Sequence, residues 1–203
     1  MGYKKGELHL IIGGMFSGKT TELIRTCDKY KYINKKILYI NSETDSRSKS
    51  CFGNLKSHNL GYISSHDDKS VQCIKISDIS EILSTNIYED FDVLGIDEAQ
   101  FFPDLMPILT LVNKYNKIVI VSGLNGDYQQ NIFGKIFDLI PHCDTLCKLN
   151  ALCVHCNNGT PAIFSKRICE NKDQELVGGN SKYVAVCRYH MYCWISLRGN
   201  VLD

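Results

Sequence analysis

The sequence lacks the features that would assign it to a membrane, to a secretory route or to a polyanion. No apolar run among the 203 residues approaches the roughly 20 residues that a transmembrane helix needs. The apolar stretch from Leu8 to Ile12 is too short for the core of a signal peptide. The 23 basic and 22 acidic residues leave a net charge of +1, so no overall field attracts nucleic acid or an anionic membrane. We therefore expect a cytosolic (cytoplasmic) protein with no membrane partner, and charge argues against nucleic acid as its ligand.

Internal repeats and low-complexity tracts are also absent, while cysteine is abundant. Apolar residues make up 44% of the chain and charged residues 22%, the balance of a globular protein large enough for one domain and a small appendage. Without an export signal, the ten cysteines should lie in a reducing compartment. Metal binding is then favoured over disulfides.

Short β-rich apolar runs alternate with segments of helical periodicity. The runs predicted to be strands are Leu8–Ile12, Lys36–Asn41, Phe91–Ile96, Lys117–Val121 and Thr145–Leu149. Helical periodicity is clearest over Lys19–Ile33 and over Pro103–Tyr115. The alternation predicts an α/β fold with a parallel sheet flanked by helices. After about residue 150 this periodicity lapses and cysteine becomes frequent, so we divide the chain into an α/β domain (1–150) and a small metal-binding lobe (151–203).

A phosphate-binding pattern follows the first predicted strand and opens the first predicted helix. The match to G-x-x-x-x-G-K-[ST] consists of Gly13, Gly14, Met15, Phe16, Ser17, Gly18, Lys19 and Thr20. Glycines let successive N–H groups converge on phosphate oxygens, and the helix N-terminus adds partial positive charge. Lys19 would reach the β- and γ-phosphates of a bound nucleotide, and the Thr20 hydroxyl would bind Mg²⁺. We therefore expect a P-loop NTPase-like parallel sheet flanked by helices, with residues 1–150 as a nucleotide-binding domain. A chance glycine-rich turn is the alternative, and the strand-before, helix-after placement disfavours it.

Two acids end the apolar strand near residue 96. Asp97 is placed like the aspartate that holds Mg²⁺, directly or through water, in P-loop enzymes. Glu98 can point at a nucleophile and accept its proton. A solvated strand end is one alternative, and a nucleic-acid-dependent ATPase with a DExQ box is another. The second needs two ATPase domains and a basic stripe, and the sequence offers neither.

Two cysteine-containing pairs mark the last quarter of the chain. Cys153-x-x-Cys156 and Cys187-x-x-His190 are separated by 30 residues, which is the ligand pattern of a zinc ribbon. Cys193 competes with His190 as the fourth ligand. Four protein ligands leave no position for water, so the zinc would be structural. A ribbon can also bind nucleic acid, which leaves an interaction module as a third reading.

The ordered set of motifs resembles the type II, zinc-containing thymidine kinases. The resemblance runs from about Gly6 to Tyr192 and depends on the phosphate loop, the Asp-Glu-Ala-Gln-Phe-Phe run and the cysteine pairs. Further matching segments are Ser122–Gly126, Phe133–Gly134, Ser165–Arg167 and Val177–Tyr183. It implies ATP-dependent transfer of a phosphoryl group to the 5′-hydroxyl of thymidine, and also a homotetramer, usually inhibited by thymidine triphosphate.

The resemblance also implies roles for individual residues. Glu98 would be the general base, Arg47 the cation beside the reacting hydroxyl, and Asp45 a residue that orders the water around Mg²⁺. A solvated loop pair is the alternative for Arg47 and Asp45. Nucleoside contacts, through side chains around thymine or a glycine-rich "lasso" loop over it, would come from Met15, Phe101, Leu124, Tyr128, Phe133, Ser165, Gly178 and Tyr183.

Overall fold

The protein is built around one large sheet. The computed structural model describes residues 5–45, 50–51, 59–64, 70–171, 173–174, 176, 178–179 and 181–193. The strands of the sheet are β1 (Glu7–Gly13), β2 (Ile37–Ser42), β3 (Ser50–Cys51), β4 (Asn59–Ser64), β5 (Ser70–Ile76), β6 (Val93–Ile96), β7 (Ile118–Leu124) and β8 (Thr145–Leu149). The order is β3-β4-β5-β2-β6-β7-β1-β8. The neighbouring strands β5, β2, β6, β7, β1 and β8 are all paired in parallel. The strands β4 and β3 extend the sheet beyond β5 with antiparallel pairing. The predicted α/β fold is confirmed.

Apolar side chains cover both faces of the sheet. In β1, Leu8, Leu10 and Ile12 join the core on one face while Ile11 joins the core on the other, as strand alternation requires. The second core is closed by α1 (Lys19–Lys31), which buries an apolar stripe that includes Leu23. Full burial of one such side chain stabilises the fold by about 1.5–3 kcal/mol. The position of α1 against the sheet therefore follows from its sequence pattern.

The opposite face is covered by shorter helices. These are α2 (Ser80–Ser84) and α3 (Ile108–Asn113), together with 3₁₀ segments at Ile87–Asp90, Ala99–Phe101 and Ile136–His142. α3 begins later than the predicted Pro103. The Asp104 carboxylate accepts a hydrogen bond from the Met106 N–H at 2.9 Å, which holds a turn where the helix was expected. Among the described residues, no helix is long and apolar enough to cross a membrane.

The C-terminal segment, residues 151–193, carries a separate small core. It contains two antiparallel strand pairs, β9 (Ala151–Leu152) with β10 (Pro161–Ala162) and β11 (Phe164–Arg167) with β12 (Tyr183–Val186), and ends in α4 (Arg188–Tyr192). Six of its buried residues form one cluster, against which Phe16 of the phosphate loop packs: Ala151, Cys153, Ala162, Ala185, Val186 and Cys187. The division into domains at residue 150 stays a prediction.

The parallel strands bring their carboxyl ends to one edge. The phosphate loop follows β1, Asp97 and Glu98 follow β6, and Leu124 ends β7. These three strands are adjacent in the sheet. In open parallel sheets this edge is where ligands bind.

Candidate active site

Two hydrogen bonds to a backbone carbonyl within the phosphate loop, that of Gly14, restrain the loop. Gly18 adopts a left-handed φ of 81° immediately before α1, a conformation that glycine reaches without steric cost. The Lys19 ammonium and the Ser17 hydroxyl both donate to the Gly14 carbonyl at 2.8 Å. Lys19 is only 8% exposed. A buried ammonium beside the N-terminus of α1 makes this loop chemically suited to a polyphosphate.

Asp97 links the phosphate loop to the neighbouring strand. Its carboxylate accepts hydrogen bonds from the Thr20 hydroxyl at 2.9 Å and from the Ser122 hydroxyl at 2.6 Å. Burial raises the pKa of Asp97 from 3.8 to about 6, and the nearby Glu98 charge adds to the rise. The two hydroxyls and the Lys19 charge oppose it. A hydroxyl and a carboxylate in contact are hard oxygen ligands, so this pair fits Mg²⁺.

Glu98 lies where the chain turns after the end of β6. Its φ is 50°, a left-handed conformation that is unusual for a non-glycine residue. The 3₁₀ turn Ala99–Phe101 follows at once, with the Phe101 N–H donating to the Glu98 carbonyl at 3.1 Å. The turn leaves the Glu98 side chain half-buried in the wall of the cleft described below. Its carboxylate accepts a hydrogen bond from the Gln100 side-chain amide.

Asp45 lies beyond the end of β2 and is 4% exposed. The Asn41 amide donates to its carboxylate at 3.0 Å, and the buried Lys75 ammonium donates to its carbonyl at 2.8 Å. These contacts fix the position of Asp45, which lies two residues before Arg47 in the sequence. Arg47 itself lies outside the described residues.

A cleft that is partly open to solvent joins these groups to an aromatic wall. From the phosphate side it is lined by Met15, Phe16, Gly18, Lys19, Thr20, Asp45, Asp97 and Glu98. The other side, which the family resemblance predicts to be the nucleoside side, is lined by Phe101, Leu124, Tyr128, Phe133, Ser165, Gly178 and Tyr183. Phe101 and Phe133 meet edge to face with ring centres 5.8 Å apart. Gly13, Gly14 and Ser17 shape the phosphate loop but do not line the cleft.

Arg167 organises the loop on the nucleoside side. Its guanidinium lies 3.7 Å from the centre of the Tyr128 ring and donates to the Tyr183 hydroxyl. It also donates to backbone carbonyls of the 171–174 segment. The Gln174 amide in turn donates to Asp127 at 2.9 Å. These bonds hold Asn171, Asp173 and Gln174 in place, and Gln174 lies in the wall of the cleft.

The C-terminal segment brings four ligand atoms together. The Sγ atoms of Cys153, Cys156 and Cys187 lie 3.4–3.5 Å from His190 Nδ1, and the last two Sγ atoms are 3.7 Å apart. A tetrahedral zinc ion with Zn–S of about 2.3 Å and Zn–N of about 2.1 Å separates its ligands by roughly 3.6–3.8 Å. The four residues therefore fit zinc. His190 joins this cluster, whereas Cys193 is exposed and lies outside it.

Sequence reasoning missed several residues that build the cleft. Gln100, Asn41, Asp127 and Gln174 make side-chain hydrogen bonds at its walls but received no role. Gln100 could have been found from its place in the Asp-Glu-Ala-Gln run. The other three carry no local signal, since their partners are brought to them by the fold.

Comparison with known proteins gives a single result. The family model for thymidine kinase matches residues 6–191. The chain is 37% identical over 183 residues to thymidine kinase 1 of Dictyostelium discoideum, covering 90% of this chain and 76% of that protein. It is equally identical, at 37% over 183 residues, to the thymidine kinases of Myxoma virus strain Uriarra and Vaccinia virus strain Ankara. Each of these two alignments covers 90% of this chain. They cover 94% of the Myxoma virus protein and 95% of the Vaccinia virus protein.

The chain belongs to the thymidine kinase family. This confirms the resemblance drawn from the motifs. The thymidine kinase match extends from before the phosphate loop to His190, so it includes both the cleft and the Cys/His cluster.

Proposed function

We propose that this protein transfers the γ-phosphoryl group of ATP to the 5′-hydroxyl of thymidine, giving dTMP for DNA synthesis by nucleoside salvage. One observation carries the proposal. Glu98 lines the same cleft as the phosphate loop on one side and the aromatic wall on the other. A carboxylate in that place can meet an alcohol that faces the triphosphate. The related proteins named above are thymidine kinases, which supports thymidine as the acceptor.

The proposed catalytic residues act on charge and on one proton. Lys19 and the N–H groups of residues 13–20 hold the β- and γ-phosphates in line with the acceptor. Thr20, Asp97 and, through water, Asp45 would hold Mg²⁺, which supplies charge neutralisation when bound. Glu98 takes the proton from the 5′-hydroxyl as its oxygen bonds to the γ-phosphorus, while the bond from that phosphorus to the β,γ-bridging oxygen breaks and ADP leaves. We assign Arg47 to the negative charge that spreads over the transferring group.

Selectivity for the nucleoside is proposed to come from shape and from backbone polarity. Met15, Phe101, Leu124 and Phe133 enclose the base, and Tyr128 offers a ring to stack on it. Ser165, Gly178 and Tyr183 line the cleft, and main-chain groups beside them can pair with the edge of thymine. Cytosine would leave those groups unpaired at a cost. Deoxyuridine differs from thymidine by a methyl group alone and should be accepted less well.

The metal cluster is proposed to be structural. Cys153, Cys156, Cys187 and His190 would bind zinc through all four tetrahedral positions, so zinc supplies folding energy and no chemistry. Three thiolate ligands require a reducing compartment, which supports a cytoplasmic location. Family membership supports a homotetramer as the working assembly.

The test is a coupled assay of ADP release with purified protein, MgATP and a panel of deoxynucleosides. We expect release to depend on thymidine and dTMP to accumulate in equal amount. We expect Glu98→Gln to lower kcat by roughly 10²–10⁴-fold with KM for both substrates largely kept. A parallel reaction with single-stranded DNA and no nucleoside tests the ATPase alternative. DNA-stimulated release without dTMP would overturn the proposal, and an unchanged kcat would remove Glu98 from it.

A further inference from the structure

We propose that Gln100 is a positioning residue that holds the Glu98 carboxylate toward the nucleoside and ties it to the cleft wall at Leu124. The inference rests on the proposed function, because it takes Glu98 as the base. Gln100 belongs to the Asp-Glu-Ala-Gln run that begins at Asp97. Its proposed role depends on a hydrogen bond with Leu124, which lies 24 residues away in the sequence.

Both ends of the Gln100 amide are engaged. The side chain is 3% exposed. Its Oε1 accepts a hydrogen bond from the Leu124 backbone N–H at 2.9 Å, and its Nε2 donates to Glu98 Oε2. A backbone N–H can only donate, so it determines which end of the amide is oxygen. The NH₂ end must then face the carboxylate, which is an acceptor when ionised.

The backbone of Gln100 is held from a second direction. Gly134 has a left-handed φ of 69°, and a Cβ at this position would lie 2.4 Å from the Gln100 carbonyl oxygen. Only glycine permits that approach, so the chain after Phe133 closes directly on residue 100. The 3₁₀ turn Ala99–Phe101 restrains it from the other side. Gln100 therefore has neither backbone nor side-chain freedom to follow a moving carboxylate.

The consequence is a pre-oriented base. A glutamate side chain with several rotatable bonds can point at many places in an open cleft, and an ångström of misplacement can cost about 10²-fold in rate. The amide of Gln100 selects one orientation and ties it to Leu124, a proposed wall of the base site. A nucleoside seated against Leu124 would then find the carboxylate at a fixed distance. Gln100 does not touch the reacting atoms, so its effect must pass through Glu98.

Two substitutions separate the two hydrogen bonds. Gln100→Met keeps the length of the side chain and loses both bonds. Gln100→Glu, assayed at pH 8, keeps an oxygen for the Leu124 N–H and replaces the donor to Glu98 with a second negative charge. Gln72→Met is the matched control, since Gln72 is exposed on β5 and does not line the cleft. We expect both Gln100 variants to lower kcat about 10–100-fold, with KM for ATP within about threefold of wild type.

A double-mutant cycle with Glu98→Gln distinguishes positioning from general damage. If Gln100 acts through Glu98, Gln100→Met should slow the Glu98→Gln protein less than about threefold in single-turnover formation of dTMP. Thermal unfolding of each protein shows whether it is folded, and Gln100→Glu replaces Gln100→Met if the latter does not fold. Equal slowing in both backgrounds overturns the inference and leaves the proposed function intact. If Glu98→Gln is as fast as wild type, both the base assignment and this inference fail.

Discussion

Replacing Asp97 by Asn should stabilise the ligand-free protein while abolishing its use of MgATP. Asp97 is 3% exposed, and it lies between the hydroxyls of Thr20 and Ser122. Asparagine has the same shape, and its amide can accept from one hydroxyl and donate to the other. The substitution therefore removes a buried charge and keeps the packing.

The size of the effect follows from the pKa of Asp97. Burial, assisted by the Glu98 charge, raises it from 3.8 to about 6. At 1.36 kcal/mol per pKa unit, keeping this group ionised in the folded protein costs about 3 kcal/mol at neutral pH. For a chain of this length 1 kcal/mol shifts Tm by about 2–4 °C, so Asp97→Asn should raise Tm by roughly 6–12 °C at pH 8.

The sign of the pH dependence makes the prediction specific. Well below pH 3.8 the carboxyl is protonated in both folded and unfolded chains, and its charge costs nothing. Between pH 3.8 and about 6 the unfolded chain ionises this carboxyl while the folded protein keeps it protonated, so the stability of wild type falls relative to the variant and levels off above pH 6. The difference in Tm between Asp97→Asn and wild type should be about a third of its full size at pH 4.5 and reach its full size by pH 7–8.

The assay is thermal unfolding of both proteins from pH 4.5 to 8 without added nucleotide or Mg²⁺. Asp138→Asn serves as the control, because Asp138 is exposed and pairs at 3.7 Å with an exposed lysine. The Tm of each variant is compared with the Tm of wild type at the same pH, so that pH effects common to all the proteins cancel. An equal gain at pH 4.5 and pH 8, or no gain at pH 8, would refute the buried-charge argument.

Two further perturbations probe the C-terminal segment. Cys153→Ser should reduce bound zinc below half an equivalent and lower Tm and activity together, because the metal holds the small core. Cys169→Ser, an exposed cysteine outside the cluster, is its control, and full zinc content in Cys153→Ser would contradict the ligand assignment. Arg167→Lys should raise KM for thymidine about tenfold at unchanged KM for ATP, since lysine cannot bind several carbonyls in one plane. Arg188→Lys is the control, and an equal rise in both KM values would contradict a role confined to the nucleoside side.

Local patterns predicted the parts of the fold whose residues are consecutive. The phosphate loop and the acid pair after β6 are contiguous motifs, and the strands β1, β2, β6 and β7 could be found because extensive burial gives continuous apolar runs. The exposed edge strand β8 was also predicted, from its β-rich sequence. The strands β4 and β5 were not predicted. Their residues mix exposed and buried positions near the edge of the sheet, so the apolar runs are short and interrupted by polar residues.

The contacts that shape the cleft depend on the fold and not on spacing. Gln174 meets Asp127 across 47 residues, and Gln100 meets Leu124 across 24. Each is an ordinary polar residue in its own neighbourhood, and its role appears only when strand order brings a partner within reach. The resemblance to a known family named the residues expected at the cleft but not these supporting pairs. Physical reading of a sequence identifies chemistry more readily than it identifies what holds the chemistry in place.

The metal cluster and the phosphate loop are connected through one strand, β11. The Lys166 ammonium donates to the His190 carbonyl at 3.2 Å, beside the cluster. The preceding residue, Ser165, accepts a hydrogen bond from the Met15 N–H of the phosphate loop at 2.8 Å. Phe16 packs on the same small core. Losing the metal should therefore loosen the phosphate loop as well as the nucleoside side.

This connection separates two kinds of damage. Because β11 contacts the phosphate loop directly, zinc removal should raise KM for ATP and KM for thymidine together. Arg167→Lys weakens the hydrogen bonds to the carbonyls of residues 171, 173 and 174. It leaves the bond between Ser165 and Met15 in place, so KM for thymidine alone should rise. If zinc-depleted protein that remains folded by circular dichroism keeps its KM for ATP, the bond between Ser165 and Met15 does not transmit the state of the cluster. The metal would then support only the contacts that Arg167 makes with Asn171, Asp173 and Gln174.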